Sequence, residues 1–226
     1  EYTYEEVNER VNQLAHALAE RGIEKGDRVA LLSPNTHYFI ETLYATNQLG
    51  AVFVPMNYRL KPGEFEYILT DCVPDLVIAD YDYADKVEPV RADVPATTFV
   101  GYEADRIEGD WEDYESLLEG RPTDEPTRPD ISEDDDASIN YTSGTTGDPK
   151  GVKLSHHNFR TNVRQVHRRF CPRPDKEPGT PTLDEETRAV SFLPLAHVFE
   201  RLSGHFALFS VGASVGYAES PDTLTE

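Results

Sequence analysis

Apolar side chains follow two alternating spacings along the chain, one typical of helices and one typical of strands. In residues 4–21 they recur three or four positions apart, at Val7, Val11, Leu14 and Leu18, and Gly22 follows as a stop. Residues 28–32 form a nearly continuous apolar run, typical of a strand that is buried on both faces. The alternation predicts an α/β fold with mainly parallel sheets flanked by helices. We predict helices over residues 4–21, 36–49, 62–71, 111–118, 155–170 and 197–210, and strands over residues 28–32, 51–54, 75–79, 97–100, 137–141, 151–154, 188–193 and 213–217.

A polar stretch interrupts this alternation at residues 119–136. It carries three prolines and ends in the acidic run 133–136. Such a composition predicts an exposed connector, which we interpret as a solvated linker rather than an interaction tail. The chain would then divide into a first α/β lobe over residues 1–118, an acidic connector over 119–136, and the start of a second α/β lobe over 137–226.

The balance of charge excludes some classes of function. The 226 residues include 42 acidic and 21 basic side chains, a formal charge of −21, and such a surface would repel a nucleic-acid backbone. No apolar run reaches about 18 residues, so no transmembrane helix is expected, whereas peripheral contact with a membrane stays open. The first residues do not show the pattern of a signal peptide, so none is expected, and Cys72 and Cys171 lack metal-ligand spacing. We expect a cytoplasmic protein with reduced thiols.

The acidic residues are clustered, and this changes what the net charge means. Residues 101–136 hold 15 acidic side chains against three arginines, a net charge of −12, which leaves −9 for the other residues. Lysine is scarce, with 6 Lys against 15 Arg. We interpret this pattern as a salt-adapted, halophilic surface whose self-repulsion is screened at high ionic strength; an ordinary acidic protein is the alternative. A stability that does not rise with KCl concentration would exclude the halophilic interpretation.

The segment from Tyr141 to Gly151 has the composition of a phosphate-binding loop. Its sequence is Tyr-Thr-Ser-Gly-Thr-Thr-Gly-Asp-Pro-Lys-Gly, so four hydroxyl side chains and two glycines fall within residues 142–147, and Lys150 follows. Glycine lets backbone N–H groups approach an anion, the hydroxyl groups add donors, and the lysine adds positive charge. A Walker A loop runs directly into a helix, whereas a strand is predicted here. The donors must therefore be the loop's own amides and hydroxyls.

The helix predicted after this loop carries a basic face in an otherwise acidic protein. Arg160, Arg164 and Arg168 lie four residues apart, and no acidic residue occurs over residues 155–173. One interpretation is a basic face that pairs with the acidic connector. The other is an attractor for anionic ligands such as ATP, coenzyme A or a lipid headgroup.

Two motifs resemble those of a known family. Residues 141–151 resemble the phosphate loop of the adenylate-forming superfamily, which includes acyl-CoA synthetases, firefly-type luciferases and peptide-synthetase adenylation domains. Residues 191–201, Ser-Phe-Leu-Pro-Leu-Ala-His-Val-Phe-Glu-Arg, resemble the next motif in its long-chain fatty acyl-CoA synthetase form. Weaker matches are residues 3–6, residues 26–30, Asn35 and residues 50–57. The resemblance covers nearly the whole chain and implies the fold of the superfamily's N-terminal domain.

The resemblance implies an ATP-dependent activation of a fatty acid in two steps. The carboxylate attacks the α-phosphate of ATP, which is bound with Mg²⁺, and coenzyme A then takes the acyl group. Negative charge grows on the leaving pyrophosphate, and fixed donors aimed at that charge lower the barrier. The residues that the resemblance assigns to the β- and γ-phosphates are Thr142, Ser143, Gly144, Thr145, Thr146, Gly147 and Lys150.

His197 is the second candidate catalytic residue, beside Lys150. The resemblance places it next to the substrate carboxylate and the α-phosphate, whereas the alternative is a histidine that only caps a helix. Glu200 and Arg201 follow it, and we predict a local ion pair between them.

Other motifs of the family do not occur in these residues. The sequence has no Tyr-Gly-x-Thr-Glu motif for adenine, and the ribose-binding aspartate, the hinge and the C-terminal lobe with its lysine are not found. We therefore expect a piece of the N-terminal domain of a long-chain fatty acid–CoA ligase, without complete turnover by itself. Two alternatives stay open: a parent enzyme for another acid (aryl, medium-chain or carrier-protein-directed), and a non-catalytic nucleotide-binding fragment.

Overall fold

The strands form one large sheet and one small sheet. The computed structural model describes residues 1–94, 96, 98–142, 148–171 and 182–218. The strands are β1 Arg28–Leu32, β2 Val52–Met56, β3 Leu76–Asp80, β4 Thr98–Tyr102, β5 Glu112–Asp113, β6 Asp136–Tyr141, β7 Gly151–Ser155, β8 Arg188–Ser191 and β9 Ser214–Tyr217. The large sheet has the order β5-β4-β3-β1-β2-β6-β7, and β8 pairs with β9 in the small sheet. Neighbouring strands are parallel except β6 and β7.

The helices match most of the predicted helical segments. They are α1 Tyr4–Glu20, α2 His37–Gln48, α3 Pro62–Cys72, α4 Tyr81–Ala84, α5 Tyr114–Leu118, α6 His156–Phe170, α7 Val198–Glu200 and α8 Ala207–Phe209, with 3-10 turns at Glu88–Asp93 and Ala104–Arg106 and a π turn at Arg201–Phe206. Among the described residues, no helix combines the length and apolar character that a membrane crossing requires.

Successive residues of β1 belong to two different hydrophobic cores. Val29 and Leu31 lie in the core with residues of α1, α2 and α5. Ala30 and Leu32 lie in the core with residues of α3. Because side chains alternate between the faces of a strand, helices on both faces explain why the whole strand is apolar. This arrangement confirms the predicted α/β fold, with a mainly parallel sheet flanked by helices.

The predicted end of β2 at Val54 was wrong, because the strand continues through Pro55 to Met56. The N–H of Val52 donates to Asp27 on the β1 side at 2.7 Å. Donor direction alternates along a strand, so the nitrogen of Pro55 faces β6. The recorded pairing between β2 and β6 is Phe53 with Ser138 alone. A proline therefore fits here without breaking the ladder to β1.

The predicted helix over 111–118 was also too long. The strand Glu112–Asp113 pairs with β4, and α5 begins only at Tyr114. The Asp113 carboxylate accepts a hydrogen bond from the N–H of Ser116 at 2.8 Å and so caps the helix there. Trp111 is buried, and its indole N–H donates to Glu88 at 2.9 Å.

The acidic connector lies along the surface of α1. Its backbone carbonyl at Thr123 accepts from Asn12 in α1 at 2.7 Å, and the one at Asp130 accepts from Lys25, which follows α1, at 2.7 Å. Strands β6 and β7 follow the connector and yet belong to the large sheet. The division into lobes at residues 119–136 stays a prediction about domain organisation, whereas the sheet itself runs across that boundary.

The helix predicted over 197–210 contains a π turn, which a regular apolar pattern does not reveal. Three buried polar side chains, Glu200, Arg201 and His205, lie at or inside this turn. Gly204 also lies in it, and a Cβ atom there would stand 2.5 Å from Oε1 of Glu200. The wider turn therefore coincides with a buried carboxylate that a larger residue would displace.

Candidate functional site

The two ends of the predicted phosphate loop are held together by the β6–β7 pair. Tyr141 and Gly151 are the last residues in register, and the N–H of Thr142 donates to the carbonyl of Lys150 at 3.1 Å. The side chains of Thr142 and Lys150 are both exposed. Ser143, Gly144, Thr145, Thr146 and Gly147 lie outside the described residues, so their assignment to phosphate stays a prediction.

Tight packing fixes the base of the loop. A Cβ atom on Gly151 would lie 2.9 Å from Cγ2 of Ile139 and 3.2 Å from the ring of Tyr141. The hydroxyl of Tyr141 donates to Asp71 in α3 at 2.5 Å. Partial burial is the larger cause and the hydrogen bond to Asp71 the smaller cause that raise the pKa of Tyr141 above its ordinary value. Glycine at 151 thus allows the tyrosine to cover β7 and to tie the loop to α3.

The two described ends of the loop lie at the carboxyl edge of the large sheet. β6 is parallel to β2, which is parallel to β1, so the three strands end at the same edge. In open α/β sheets, ligands bind in the crevice outside the carboxyl ends of the strands. The segment 33–35 follows β1 at this edge, and Thr142 follows β6.

His197 caps the helix that begins at Val198. Its Nδ1 accepts from the backbone N–H of Phe199 at 3.2 Å, and the side chain is exposed. His197 therefore has the geometry of a helix cap, which was the alternative to a role in the site. Its Nε2 atom stays available for a hydrogen bond, so the cap and a role in the site are compatible. The apolar side chains around it that are exposed by 37–59% are Phe192, Leu193, Val198 and Phe199.

Residues 191–197, here called the His197 segment, are attached to the large sheet by Asn35. The Nδ2 of Asn35 donates to the carbonyl of Leu193 at 2.7 Å, and its Oδ1 accepts from the N–H of Leu195 at 2.8 Å. The same Nδ2 lies 3.2 Å from the hydroxyl of Ser191. Asn35 was noticed in the sequence as part of a weak motif match, but nothing there indicated this contact.

Glu200 and Arg201 do not form the predicted ion pair among the described contacts. The Glu200 carboxylate accepts from the hydroxyl of Ser191 at 2.6 Å. Arg201 is fully buried and donates through Nη2 to Asn140 and, at 3.4 Å, to Ser138. Both partners of Arg201 lie in β6, so this contact places the helix after His197 against the strand that leads into the loop.

The Arg201 guanidinium lies in an apolar environment. Its central carbon stands 5.8 Å from the ring of Phe53 and 5.7 Å from that of Phe159, and no carboxylate pairs with it in the described part of the chain. Burial lowers the pKa of Arg201 to about 9. Burial and the nearby arginine together lower the pKa of His205 to about 3. Burial acts through the cost of holding charge away from water, and the arginine acts on His205 through repulsion between like charges.

The basic helix α6 pairs with the connector at its first turn. Arg160 and His157 both contact Glu133, the histidine at 3.3 Å. This confirms the pairing interpretation for that turn. Arg164 and Arg168 are exposed and form no ion pair with another described residue, so an attraction of anionic ligands stays a prediction for them.

Neither the cysteines nor a cluster of metal-binding side chains forms a second candidate site within the described residues. Cys72 and Cys171 are not joined by a disulfide. Burial raises the pKa of the Cys72 thiol to about 12, which keeps it in the unreactive protonated form. In the described ranges, no group of three or more His, Cys, Asp or Glu side chains could hold a metal ion.

Comparisons with known proteins give matches over most or all of the chain. The family model described as "AMP-binding enzyme" matches residues 1–226. A feruloyl-CoA synthase of Amycolatopsis sp is 37% identical over 164 residues, 73% of this chain and 30% of that protein. The long-chain-fatty-acid–CoA ligase FadD13 of Mycobacterium tuberculosis is 40% identical over 159 residues, 68% of this chain and 29% of that protein. The chain thus spans about 30% of the length of these relatives.

A solved structure shows the same fold. The crystal structure of the anthranilate CoA ligase AuaEII in complex with anthranoyl-AMP superposes with a TM-score of 0.81 at 25% identity. The superposition covers 93% of this chain and 38% of that one. The mainly parallel sheet with its flanking helices therefore matches the N-terminal part of adenylate-forming enzymes.

Proposed function

The chain belongs to the AMP-binding enzyme family, and on that basis we propose that it forms the phosphate-binding part of a ligase that converts a carboxylic acid to its acyl-adenylate. One observation carries the proposal. Thr142 and Lys150 close a loop at the carboxyl end of β6, while Asn35 attaches the His197 segment to the carboxyl end of β1 in the same sheet. The ends of the proposed phosphate loop and the His197 segment are thus both attached at one edge of the sheet, which supports the proposal.

The chemistry of these residues suits the first half-reaction. The attacking carboxylate and the triphosphate are both anions, and charge accumulates on the leaving pyrophosphate. The Lys150 ammonium is exposed and forms no ion pair with another described residue, so it is available to that charge. The free ring nitrogen of His197 can donate a hydrogen bond to the carboxylate. Mg²⁺ and coenzyme A belong to the same proposal, Mg²⁺ neutralising phosphate charge and coenzyme A accepting the acyl group.

We propose a fatty acid as the substrate. The exposed apolar side chains Phe192, Leu193, Val198 and Phe199 flank His197, and such a surface would bind an alkyl chain next to the reacting carboxylate. The 40% identity to FadD13 supports this choice. The 37% identity to a feruloyl-CoA synthase favours an aryl acid as the second candidate.

Acid-dependent exchange between ATP and pyrophosphate, measured on the full-length gene product that contains these residues, tests the proposal. Fatty acids of increasing length are compared with ferulate as substrates. Exchange with the fatty acids supports the first candidate, and exchange with ferulate alone supports the second. Absence of acid-dependent exchange, combined with equal affinity for ATP and pyrophosphate in calorimetry, would support a non-catalytic nucleotide-binding module instead.

A lysine pair in the same hairpin provides the matched control. Lys150→Ala removes a charged donor to phosphate, and the loss should raise the KM for ATP about 10-fold to 100-fold. Lys153, in β7, is 65% exposed and pairs with Asp136 at 2.6 Å. Lys153→Ala should leave the KM for ATP within about twofold of the native value. Equal effects of the two substitutions would contradict a phosphate role for Lys150.

A further inference from the structure

We propose that Asn35 is a positioning residue, which holds the His197 segment in the orientation that acid activation needs. The inference rests on the proposed function and adds a residue to it. Asn35 would not touch the substrate or ATP in this role. It would act through Leu193 and Leu195, which lie on either side of Pro194 in the segment.

The amide of Asn35 makes the contacts of a missing strand neighbour. A residue in a parallel strand donates to the carbonyl of one partner residue and accepts from the N–H two positions further on. Asn35 does the same with its side chain, donating to Leu193 at 2.7 Å and accepting from Leu195 at 2.8 Å. Pro194 lies between them and has no N–H to offer. The segment is thus fixed in register, although residues 192–197 belong to no sheet.

The two ends of the segment have anchors of their own, since Ala218 donates to the carbonyl of Ser191 at 3.0 Å and Arg201 donates to that of His197 at 3.2 Å, but few other described contacts hold its middle. β8 ends at Ser191 and α7 begins at Val198, so the residues between them have no ladder or helix of their own. The N–H of His197 donates to the carbonyl of Pro194 at 2.9 Å, which makes the histidine's position follow that of the proline. Leu195 is fully buried in the core beneath. A shift at 193–195 would therefore be transmitted to the His197 ring.

Asn35 and the phosphate loop follow different strands of the large sheet. Asn35 follows β1 at the carboxyl edge of the large sheet, where the hydroxyl of Ser33 lies 3.4 Å from that of Thr36. The loop at Thr142 follows a different strand, β6. Loss of Asn35 should consequently disturb the histidine while the phosphate loop keeps its own anchors, Tyr141 and Gly151.

Three variants separate positioning from simple stabilisation. Asn35→Ala removes all the contacts, and Asn35→Asp keeps the acceptor for Leu195 but removes the donor to Leu193. The matched control is Asn47→Ala, because Asn47 is similarly half-buried and donates at 3.0 Å to Leu43 within its own helix. Each variant is measured by hydrogen–deuterium exchange and by acid-dependent ATP–pyrophosphate exchange in the full-length gene product.

Positioning predicts a local and a kinetic effect. In Asn35→Ala the amide of Leu195 should exchange about fivefold to tenfold faster, because it loses a hydrogen bond, while the amides of β1 stay unchanged. The kcat of acid activation should fall about tenfold or more, while the KM for ATP stays within about twofold. Asn35→Asp, which keeps the bond to Leu195, should show the smaller exchange effect and serves if the alanine variant does not fold.

Three results would overturn the inference. The first is unchanged hydrogen–deuterium exchange at Leu195 in Asn35→Ala. The second is a loss of kcat in that variant no larger than in Asn47→Ala. The third is a rise in its KM for ATP as large as its loss of kcat. If the native protein shows no acid-dependent ATP–pyrophosphate exchange, the proposed function fails, and the proposal that Asn35 positions His197 for that function fails with it. Faster hydrogen–deuterium exchange confined to residues 193–197 in Asn35→Ala would still show that Asn35 holds the segment. The failure of the proposed function and the failure of the positioning contact are therefore distinguishable.

Discussion

Replacing Arg10 by methionine should destabilise the protein strongly, because Arg10 is the ion-pair partner of a buried carboxylate, Glu41. Glu41 is in the middle of α2, and its side chain has 0% exposure. Arg10 donates to its two oxygens at 2.7 and 3.1 Å. His37 lies 2.8 Å away, and the hydroxyl of Tyr114 donates at 2.9 Å. Arg10→Met leaves this carboxylate buried with half of its hydrogen bonds.

The expected cost follows from the number of bonds and the burial. A hydrogen bond to a charged group contributes about 1.5–3 kcal/mol, so two contribute about 3–6 kcal/mol. A second, independent basis for the estimate is the cost of breaking a buried ion pair by removing one partner, which is about 3–5 kcal/mol. We therefore expect a loss of about 3–5 kcal/mol, a large share of the roughly 5–15 kcal/mol typical of native proteins.

Urea unfolding at pH 7, followed by the fluorescence of Trp111, measures this loss. The control is Arg21→Met, because Arg21 pairs with Glu112 at exposures of 21% and 47%. Such a pair contributes about 0–1 kcal/mol. The reasoning is refuted if Arg10→Met costs no more than Arg21→Met.

The pH dependence of the same network has a definite sign. Burial alone would raise the pKa of Glu41, but hydrogen bonds from His37 and Arg10 outweigh it and hold the pKa below its ordinary value of 4.5. A lowered folded-state pKa gives stability that is present above pH 4.5 and is lost as the pH falls through the folded-state pKa. The difference in unfolding free energy between the native protein and Glu41→Gln should thus shrink at acid pH. A constant difference would contradict this.

Three further predictions concern the loop and its surroundings. Gly151→Ala should cost about 1–3 kcal/mol of unfolding free energy by overpacking against Ile139 and should weaken ATP binding in calorimetry, whereas Gly63→Ala, where a Cβ meets nothing within 4 Å, should be neutral or stabilising. Ser155→Ala should cost about 1 kcal/mol in urea unfolding, because it removes the N-cap of α6. Cys72, whose pKa is about 12, should react with a thiol reagent at pH 8 only in the unfolded protein; rapid reaction in the folded state would contradict its burial.

Elements with strong local patterns were predictable from sequence. β1 matched its predicted bounds, and the helix predicted over residues 155–170 is α6, which begins at His156 after the cap residue Ser155. The phosphate loop could be proposed from the sequence because its candidate donors lie within eleven consecutive residues, and its role stays a prediction. Such features depend on neighbours along the chain, which a single sequence contains.

Features that depend on distant partners were missed. Asn35 contacts residues about 158 positions later, and nothing in its sequence surroundings indicates them. Glu200 and Arg201 suggested a local ion pair, but burial directs them to Ser191 and Asn140 instead. The end of β2 was predicted at Val54, just before Pro55, because the sequence does not show which side the proline nitrogen faces. That side is set by the neighbouring strands, and it decides whether a proline ends a strand.

The order of strands also has a consequence during synthesis. β2 lies inside the sheet, yet its neighbour β6 begins about 80 residues after β2 ends. At about 5–20 residues per second, a ribosome needs about 4–16 s to produce that stretch. For this time one edge of the nascent β2, five buried residues long in the final fold, has no partner.

An unpaired apolar edge can recruit a second nascent chain. Pro55 lies on that edge, and its nitrogen, which faces the β6 side, cannot donate to an incoming strand. The residue that a pattern alone would take as the end of β2 thus protects the strand until β6 arrives. Replacement of Pro55 by valine would preserve the finished sheet and increase aggregation during translation.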